Sequence, residues 1–454
     1  MLGAADAVTA KYARHVNPTF VRMLDVLGFG RVFRRALDVW LWDEHDLKYL
    51  DALAGFGAVN VGHNHPRLVR RLQSFLAESA PGLVHTGPAV EAAELAETLA
   101  ARLGPGLDVS LFATSGAEAI DAALKLAAAA TGRAGIVYCR GGFHGLTLGT
   151  LGVMGTARLR APFEPLLAAG AAVEFGDLAG LEKALASRRA AAFVVEPVQA
   201  EGGVVLPPPG YLEAAHALCR RAGTLLVLDE VQTGVGRTGA LCAHTAENVV
   251  PDVLVLAKAL GGGMAPIGVA VTSAAIHHEA YGALDRFDLH GSTFAGYALG
   301  CVAARETLGI LEDEALAANA AARGAQLLEA LRRTLAGHPL VRDVRGRGLL
   351  VGVELGLPAT ILSRLVAGSL RARLAGIFGQ WAALKLLERG VVCQPASLHW
   401  NVLRLEPPLT IRAPEIEQLA AAVAQVLDDY RDARTLLRDV AARAGRRWLA
   451  RRPA

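Results

Sequence analysis

Short apolar runs, each closed by a turn and followed by an Ala- and Leu-rich stretch, recur between residues 109 and 272. They cover 109–114, 135–139, 192–196, 225–229, 254–258 and 268–272. Continuous apolar runs of this length read as strands buried on both faces, and their alternation with helices implies a parallel sheet covered on both sides. In such a sheet functional groups gather at the carboxyl ends of the strands. Glu196, Asp229 and Lys258 fall at those ends. Beyond Leu311 the pattern changes to a long helix, short strands around 341–355 and 402–405, and a final helix from Ala413. The expected fold class is therefore α/β, a large domain with a mostly parallel sheet plus a smaller α+β domain. A chain of 454 residues exceeds one ordinary core. The expected division is an N-terminal segment, 1–60, that joins the small domain; a large domain, 61–310; and a C-terminal small domain, 311–454, with an apolar helical insertion around 357–390.

Composition narrows the function classes. The formal net charge of +3 is too near neutral to argue for nucleic acid. No segment is long, apolar and uncharged enough to cross a membrane, and the first residues lack the basic and apolar parts of a signal peptide. Cys139, Cys219, Cys242, Cys301 and Cys393 are scattered without metal or redox spacing, which suits reduced thiols in a cytoplasm. Arg443, Arg446, Arg447, Arg451 and Arg452 around Trp448 read as a solvated end rather than a binding arm.

The run Leu225-Leu226-Val227-Leu228 ends in Asp229-Glu230-Val231-Gln232, and the next, Val253-Leu254-Val255-Leu256-Ala257, ends in Lys258. A carboxylate in an apolar strand is costly unless paired. A buried acid at one strand end and a lysine at the next is how a protein holds a pyridine aldehyde cofactor: the amine forms a Schiff base and the acid keeps the ring nitrogen protonated. A salt bridge from Asp229 to a nearby arginine, or a surface lysine with its stem on apolar ground, accounts for either residue alone. Ser115, with Glu118 three residues later, opens a helix as a capping box. The free N–H groups of Gly116 and Ala117 at that helix end would also cradle a phosphate.

These segments occur in order with Gly62-His63-Asn64-His65-Pro66, Gly142-Phe143-His144-Gly145, Glu196-Pro197-Val198-Gln199 and Gly291-Ser292-Thr293-Phe294. Together they make the chain resemble a class III aminotransferase, dependent on pyridoxal 5'-phosphate and of fold type I, over roughly residues 35 to 430. Within that class it resembles ornithine-, acetylornithine- and putrescine-type members, and most nearly the diamine and biosynthetic aldehyde branch. The resemblance implies that Lys258 and Asp229 are catalytic. It implies that Ser115, Gly116 and Ala117 take the phosphate, that Phe143 and Val231 face the two sides of the ring, and that Gln232 bonds the ring hydroxyl. It implies that Thr293 completes the phosphate site of a neighbouring subunit, hence a homodimer with shared active sites. His144 and Glu230 receive no chemical role.

Glu201 and Arg404 match a pair that, in related ω-aminotransferases, alternates between binding a substrate carboxylate and pairing internally. A structural salt bridge is the other account of the same two residues. Two departures mark the amine side. Leu146 and Phe56 stand where ornithine-type members carry an arginine and a tyrosine, so the pocket is expected to be apolar and to lack a second carboxylate anchor. The stretch 361–381 repeats apolar residues at helical spacing and is read as a substrate lid, a packed surface helix or, last, a membrane-surface contact. The expected activity is ping-pong transfer of an amino group between glutamate or another amino acid and an apolar aldehyde, ketone or amine. A racemase, aminomutase or decarboxylase of the same fold, or a non-catalytic cofactor-binding dimer, are the other readings.

Overall fold

The computed structural model describes residues 4–168, 170–357, 368–431, 435 and 438–439. The arginine-rich tail and 358–367, the start of the expected helical insertion, lie outside the described residues. The strands are β1 (Phe33–Leu37), β2 (Trp40–Asp43), β3 (Lys48–Asp51), β4 (Val109–Ala113), β5 (Gly135–Cys139), β6 (Gly170–Val173), β7 (Ala190–Val195), β8 (Leu225–Asp229), β9 (Val253–Leu256), β10 (Gly268–Thr272), β11 (Val341–Arg347), β12 (Leu350–Leu355), β13 (Val391–Val392), β14 (Gln394–Pro395) and β15 (Val402–Leu405). Seven of them form one sheet in the order β4-β10-β9-β8-β7-β5-β6.

This sheet is two-faced because side chains alternate along a strand. Phe193, Val195, Leu226, Leu228, Leu254 and Leu256 point into one core. Ala192, Val194, Val227, Val253 and Val255 point into the other. The small side chains of the second face admit the Gly116–Thr131 helix, which presents Ala119, Ala122, Ala123 and Leu126 at i, i+3, i+4 and i+7. That helix ends at Gly132, whose φ of 66° is readily adopted without a side chain. Truncating a core leucine such as Leu254 to alanine costs about 2–5 kcal/mol.

The large sheet is mostly parallel, as expected, with one strand reversed. β10 runs antiparallel to both β4 and β9, while β9, β8, β7, β5 and β6 pair in parallel. A strand buried on both faces carries the same run of Val and Ala in either direction. β6, Gly-Ala-Ala-Val, is too short and too small in its side chains to stand out as a run.

Two smaller sheets complete the fold, β11-β12-β15-β14 and β1-β2-β3-β13. In the second, β3 pairs in parallel with β13, which sets the N-terminal strands beside the C-terminal segment. The Gly368–Glu388 helix contacts β13, β14, β15 and the Ala413–Asp429 helix. Its Phe378, Ala382 and Leu386 are core residues. This part of the expected insertion is a packed helix. Among the described residues no helix is long and apolar enough to cross a membrane.

Candidate active site

β7, β8 and β9 are adjacent and parallel, so their carboxyl ends deliver Glu196, Asp229 and Lys258 to one edge of the sheet. Lys258 follows β9 by two residues with φ 45°, the left-handed region. A non-glycine residue there costs roughly 1–2 kcal/mol, a local strain that no sequence pattern signals. Its ammonium donates to Gln232 Oε1. Burial pushes its pKa down, against the opposing pull of Glu201 and Glu406. Lys258 lines a cavity of about 360 Å³ together with Ser115, Gly116, Thr114, Ala58 and the 263–267 turn.

The helix mouth forms one wall of this cavity. Ser115 caps the helix by accepting from Glu118 N at 3.2 Å. Glu118 does not close the box on Ser115 itself but accepts from Thr114 N at 2.7 Å and from the Thr114 hydroxyl. Gly116 and Ala117 lie in the first turn, where an α-helix leaves its amides without intrahelical partners. A Cβ on Gly116 would come within 2.8 Å of Val231 Cγ1, so glycine there lets the Val231 side chain pack against the helix mouth.

Asp229 is buried and its partners are specific. Oδ2 lies 2.8 Å from His144 Nδ1, and Oδ1 accepts from Val231 N at 3.0 Å. The partner is thus a histidine rather than the arginine considered above. Burial alone would lower the His144 pKa; the bond and charge of Asp229 outweigh it and raise the pKa. The other ring nitrogen, Nε2, is buried without a hydrogen-bond partner among the described residues. Glu196 accepts from Phe143 N at 2.9 Å, which fixes the backbone that carries the Phe143 ring. Burial raises the Glu196 carboxyl to about 7, with His144 opposing and Asp229 adding to the rise. Glu230 faces away from this group: it accepts from Ala243 N at 2.6 Å, His244 N at 2.9 Å and Thr233 Oγ1 at 3.1 Å, lies 2.7 Å from His244 Nδ1, and so ties down the following loop.

A second buried group meets the first across the small sheet. Arg404 sits on β15, fully buried, with Nη1 donating to Glu201 and Nε 3.2 Å from Glu406 Oε2. Neither Nε, which has only that ion-pair contact, nor Nη2 has a hydrogen-bond partner among the described residues. Burial would raise the Glu201 carboxyl, but Arg404, Lys258 and a hydrogen bond from Ser397 hold it at about 2. Phe56, in the left-handed region with φ 61°, places its ring 5.2 Å from the Arg404 guanidinium carbon.

The structure brings Lys258, Asp229, Gln232, Val231, Ser115, Gly116, Ala117, Phe143, Glu201, Arg404 and Phe56 into this region. It does not bring in Leu146, which is 60% exposed and does not line the cavity around Lys258. Thr293, expected to serve a neighbouring subunit, is exposed on this chain. Sequence reasoning gave His144 no chemical role and did not single out Glu406. A bond from His144 to Asp229 was within reach, since His144 is a polar residue one position from Phe143 in a segment that follows a strand. Glu406 was not, because its partner Gln232 is 174 residues away.

Comparison with known proteins agrees with this geometry. The model of the family "Aminotransferase class-III" matches residues 26–427. Aminotransferase PigE of Serratia sp. (strain ATCC 39006) is 35% identical over 94% of this chain, which spans 54% of that relative's length. A thermostable (S)-enantioselective omega-transaminase from Thermomicrobium roseum superimposes with a TM-score of 0.84 at 33% identity, covering 95% of this chain and 100% of that one. The ornithine aminotransferase of Toxoplasma gondii, whose structure reveals partial occupancy of pyridoxal phosphate at the active site, gives 0.77 at 32% identity, with coverage of 88% and 91%.

Proposed function

We start from the fact that this chain belongs to the class-III aminotransferases, of pyridoxal-phosphate-dependent fold type I, and propose that it moves an amino group between an acidic amino or oxo acid and an apolar amine or aldehyde. The observation that carries the reading is Arg404: a buried guanidinium with two nitrogens, Nε and Nη2, lacking a hydrogen-bond partner among the described residues, beside a carboxylate, Glu201, on Nη1. A planar guanidinium suits a planar carboxylate. Glu201 holds Arg404 when the partner has no carboxylate and yields it when one arrives.

The residues fit the cofactor: a helix mouth with open amides, a glycine that a side chain would fill, and a buried lysine all face one cavity. When bound, pyridoxal phosphate supplies an electrophilic aldehyde and a ring that accepts the electron pair of a C–H bond. In this reading Ser115, Gly116 and Ala117 bind the phosphate at the positive end of the helix. Asp229, oriented by His144, holds the proton on the ring nitrogen. Phe143 and Val231 confine the ring, and Gln232 orients its hydroxyl. Lys258 Nζ attaches the cofactor and moves the proton at the substrate carbon, a task that its lowered pKa favours.

An apolar partner is supported by a second cavity, about 490 Å³, where Ile377, Leu398 and Trp400 supply apolar surface beside Arg158, Arg373 and His399. It shares Ser397 with Glu201, whose Oε2 accepts from Ser397 N at 2.9 Å. The reading extends to a cytoplasmic, biosynthetic homodimer, with Thr293 serving the neighbouring site and the chain divided near residues 60 and 310. Five buried, unpaired cysteines and the exposed Leu284, Phe287, Leu289 and Phe294 support it. The test is a panel of amines of rising alkyl length with 2-oxoglutarate, read as glutamate formed. Activity with ornithine alone would overturn the apolar partner, and no glutamate from any amine would overturn the acidic one.

A further inference from the structure

Glu406 is the buried acid at this site to which no role has yet been given. It is fully buried, one residue beyond the end of β15. Gln232 Nε2 donates to its Oε1 at 2.9 Å and reaches Oε2 at 3.2 Å. Arg404 Nε lies 3.2 Å from Oε2. On the third side stands Gly57, with φ 76°, where a Cβ would come 2.5 Å from Oε1. The carboxylate is therefore seated by an arginine, an amide and a bare backbone. Burying an ion pair is at best weak support for stability, since apolar residues of similar volume do as well.

The arrangement has a direction. Paired with Arg404, the Glu406 carboxylate only accepts, so the nitrogen of the Gln232 amide must face it. The amide oxygen then faces Lys258, whose ammonium donates to it. We propose that Glu406 is a positioning residue for transamination, which links the arginine that receives the acidic partner to the lysine that carries the cofactor by clamping Arg404 and fixing the Gln232 amide. The inference rests on the reading of Arg404 given above. The charged groups that act on Lys258 are Glu201 from the loop after β7, Asp229 from β8, Arg404 from β15, and Glu406 itself. Of these, Glu406 alone touches both Arg404 and the Gln232 amide that receives the Lys258 ammonium. Its charge favours the protonated lysine nitrogen and partly neutralises Arg404.

The test uses Glu406→Gln and Glu406→Asp holoenzymes with two readouts besides turnover. The first is the pH midpoint of the visible absorbance of the bound cofactor. The second is calorimetric affinity for glutarate, an unreactive dicarboxylate, with pentanoate as the monocarboxylate control. In Glu406→Gln the midpoint is expected to move to lower pH by about 0.5–1 unit, because a negative charge beside the nitrogen is gone. Glutarate is expected to bind roughly threefold or more tightly, because Arg404 loses a competing carboxylate. Glu406→Asp keeps the charge but draws it back, so the midpoint stays near wild type while glutarate still binds more tightly. Unchanged midpoint and affinity in Glu406→Gln would overturn the proposal, as would an equal midpoint shift in both variants. If only Glu406→Asp yields folded holoenzyme, unchanged glutarate affinity in it overturns the proposal. Wild-type enzyme that binds glutarate no better than pentanoate would instead overturn the reading of Arg404, and the midpoint would still test the link from Glu406 to Lys258.

Discussion

His144 Nδ1 lies 2.8 Å from Asp229 Oδ2, with both side chains almost wholly out of water. The histidine thus holds in one orientation the carboxylate that we propose faces the cofactor ring. His144→Leu removes the bond and leaves a buried acid short of a partner, at a cost of about 1–3 kcal/mol. Cofactor affinity, measured by titrating the apoprotein and following the visible band, is expected to fall roughly tenfold or more. Unaltered affinity would mean that His144 only fills space. Asp229→Ala should be the more severe change, and Asp229→Glu should keep part of the affinity if charge matters as well as shape.

In the roles proposed for Lys258, Lys258→Ala removes the attachment point and the proton carrier together. Turnover is expected to fall by roughly 10⁴-fold, and the absorbance of the bound cofactor should change. Near-normal turnover in this variant would sink the assignment of Lys258.

The Glu201 carboxyl titrates far below its ordinary value of 4.5, at about 2, chiefly because Arg404 and Lys258 oppose the effect of burial. A group whose folded pKa is depressed contributes stability that is present above its unfolded pKa and fades as pH falls through the folded one. The window is therefore pH 4.5 down to about 2. A shift of that size corresponds to about 3 kcal/mol. Glu201→Gln should accordingly lower stability at pH 6 and lose less than wild type on acidification across the window, as read by urea midpoints. Parallel curves for the two proteins would show that the pair carries no such linkage.

Lys258→Ala and Thr293→Ala, each impaired alone, should recover activity when mixed and re-dimerised. One hybrid site would then carry neither change if Thr293 serves the neighbouring subunit. Full activity from a demonstrably monomeric species contradicts that arrangement.

Each methylene buried contributes about 0.8 kcal/mol, so three more carbons on an apolar partner gain roughly 2 kcal/mol, over tenfold in kcat/KM. The rise should stop when the cavity beside Trp400 is full. Ile377→Arg, which replaces apolar surface in a lining that already holds Arg158 and Arg373, should flatten the series. Leu146→Arg tests the other expected contact; with Leu146 60% exposed, a null effect there would assign selectivity to the Trp400 side.

What could be read from the chain depended on distance along it. Asp229 and Lys258 were legible because each closes an apolar run, and Ser115 because its capping partner, Glu118, is three residues away. The direction of β10 was not, since Val269, Ala270 and Val271 are buried either way up. The pairing of β3 with β13, and of Gln232 with Glu406, joins segments whose local sequence carries no sign of the other. The left-handed Lys258 was equally hidden, because a strained backbone is held by its surroundings rather than by its own residue type.

The reversed strand β10 bears on how the enzyme is made. Gly268 lies so close to Ser115 that a Cβ on it would stand 2.3 Å from the Ser115 carbonyl oxygen, so the helix mouth is braced by a strand written far downstream. Contacts of such sequence separation form late, after the loop between them has closed. On the ribosome the Ser115–Ala117 turn emerges long before its brace exists. A chain that ended ahead of residue 268 would hold Ser115, Asp229 and Lys258, yet would lack the strand that braces the Ser115–Ala117 turn.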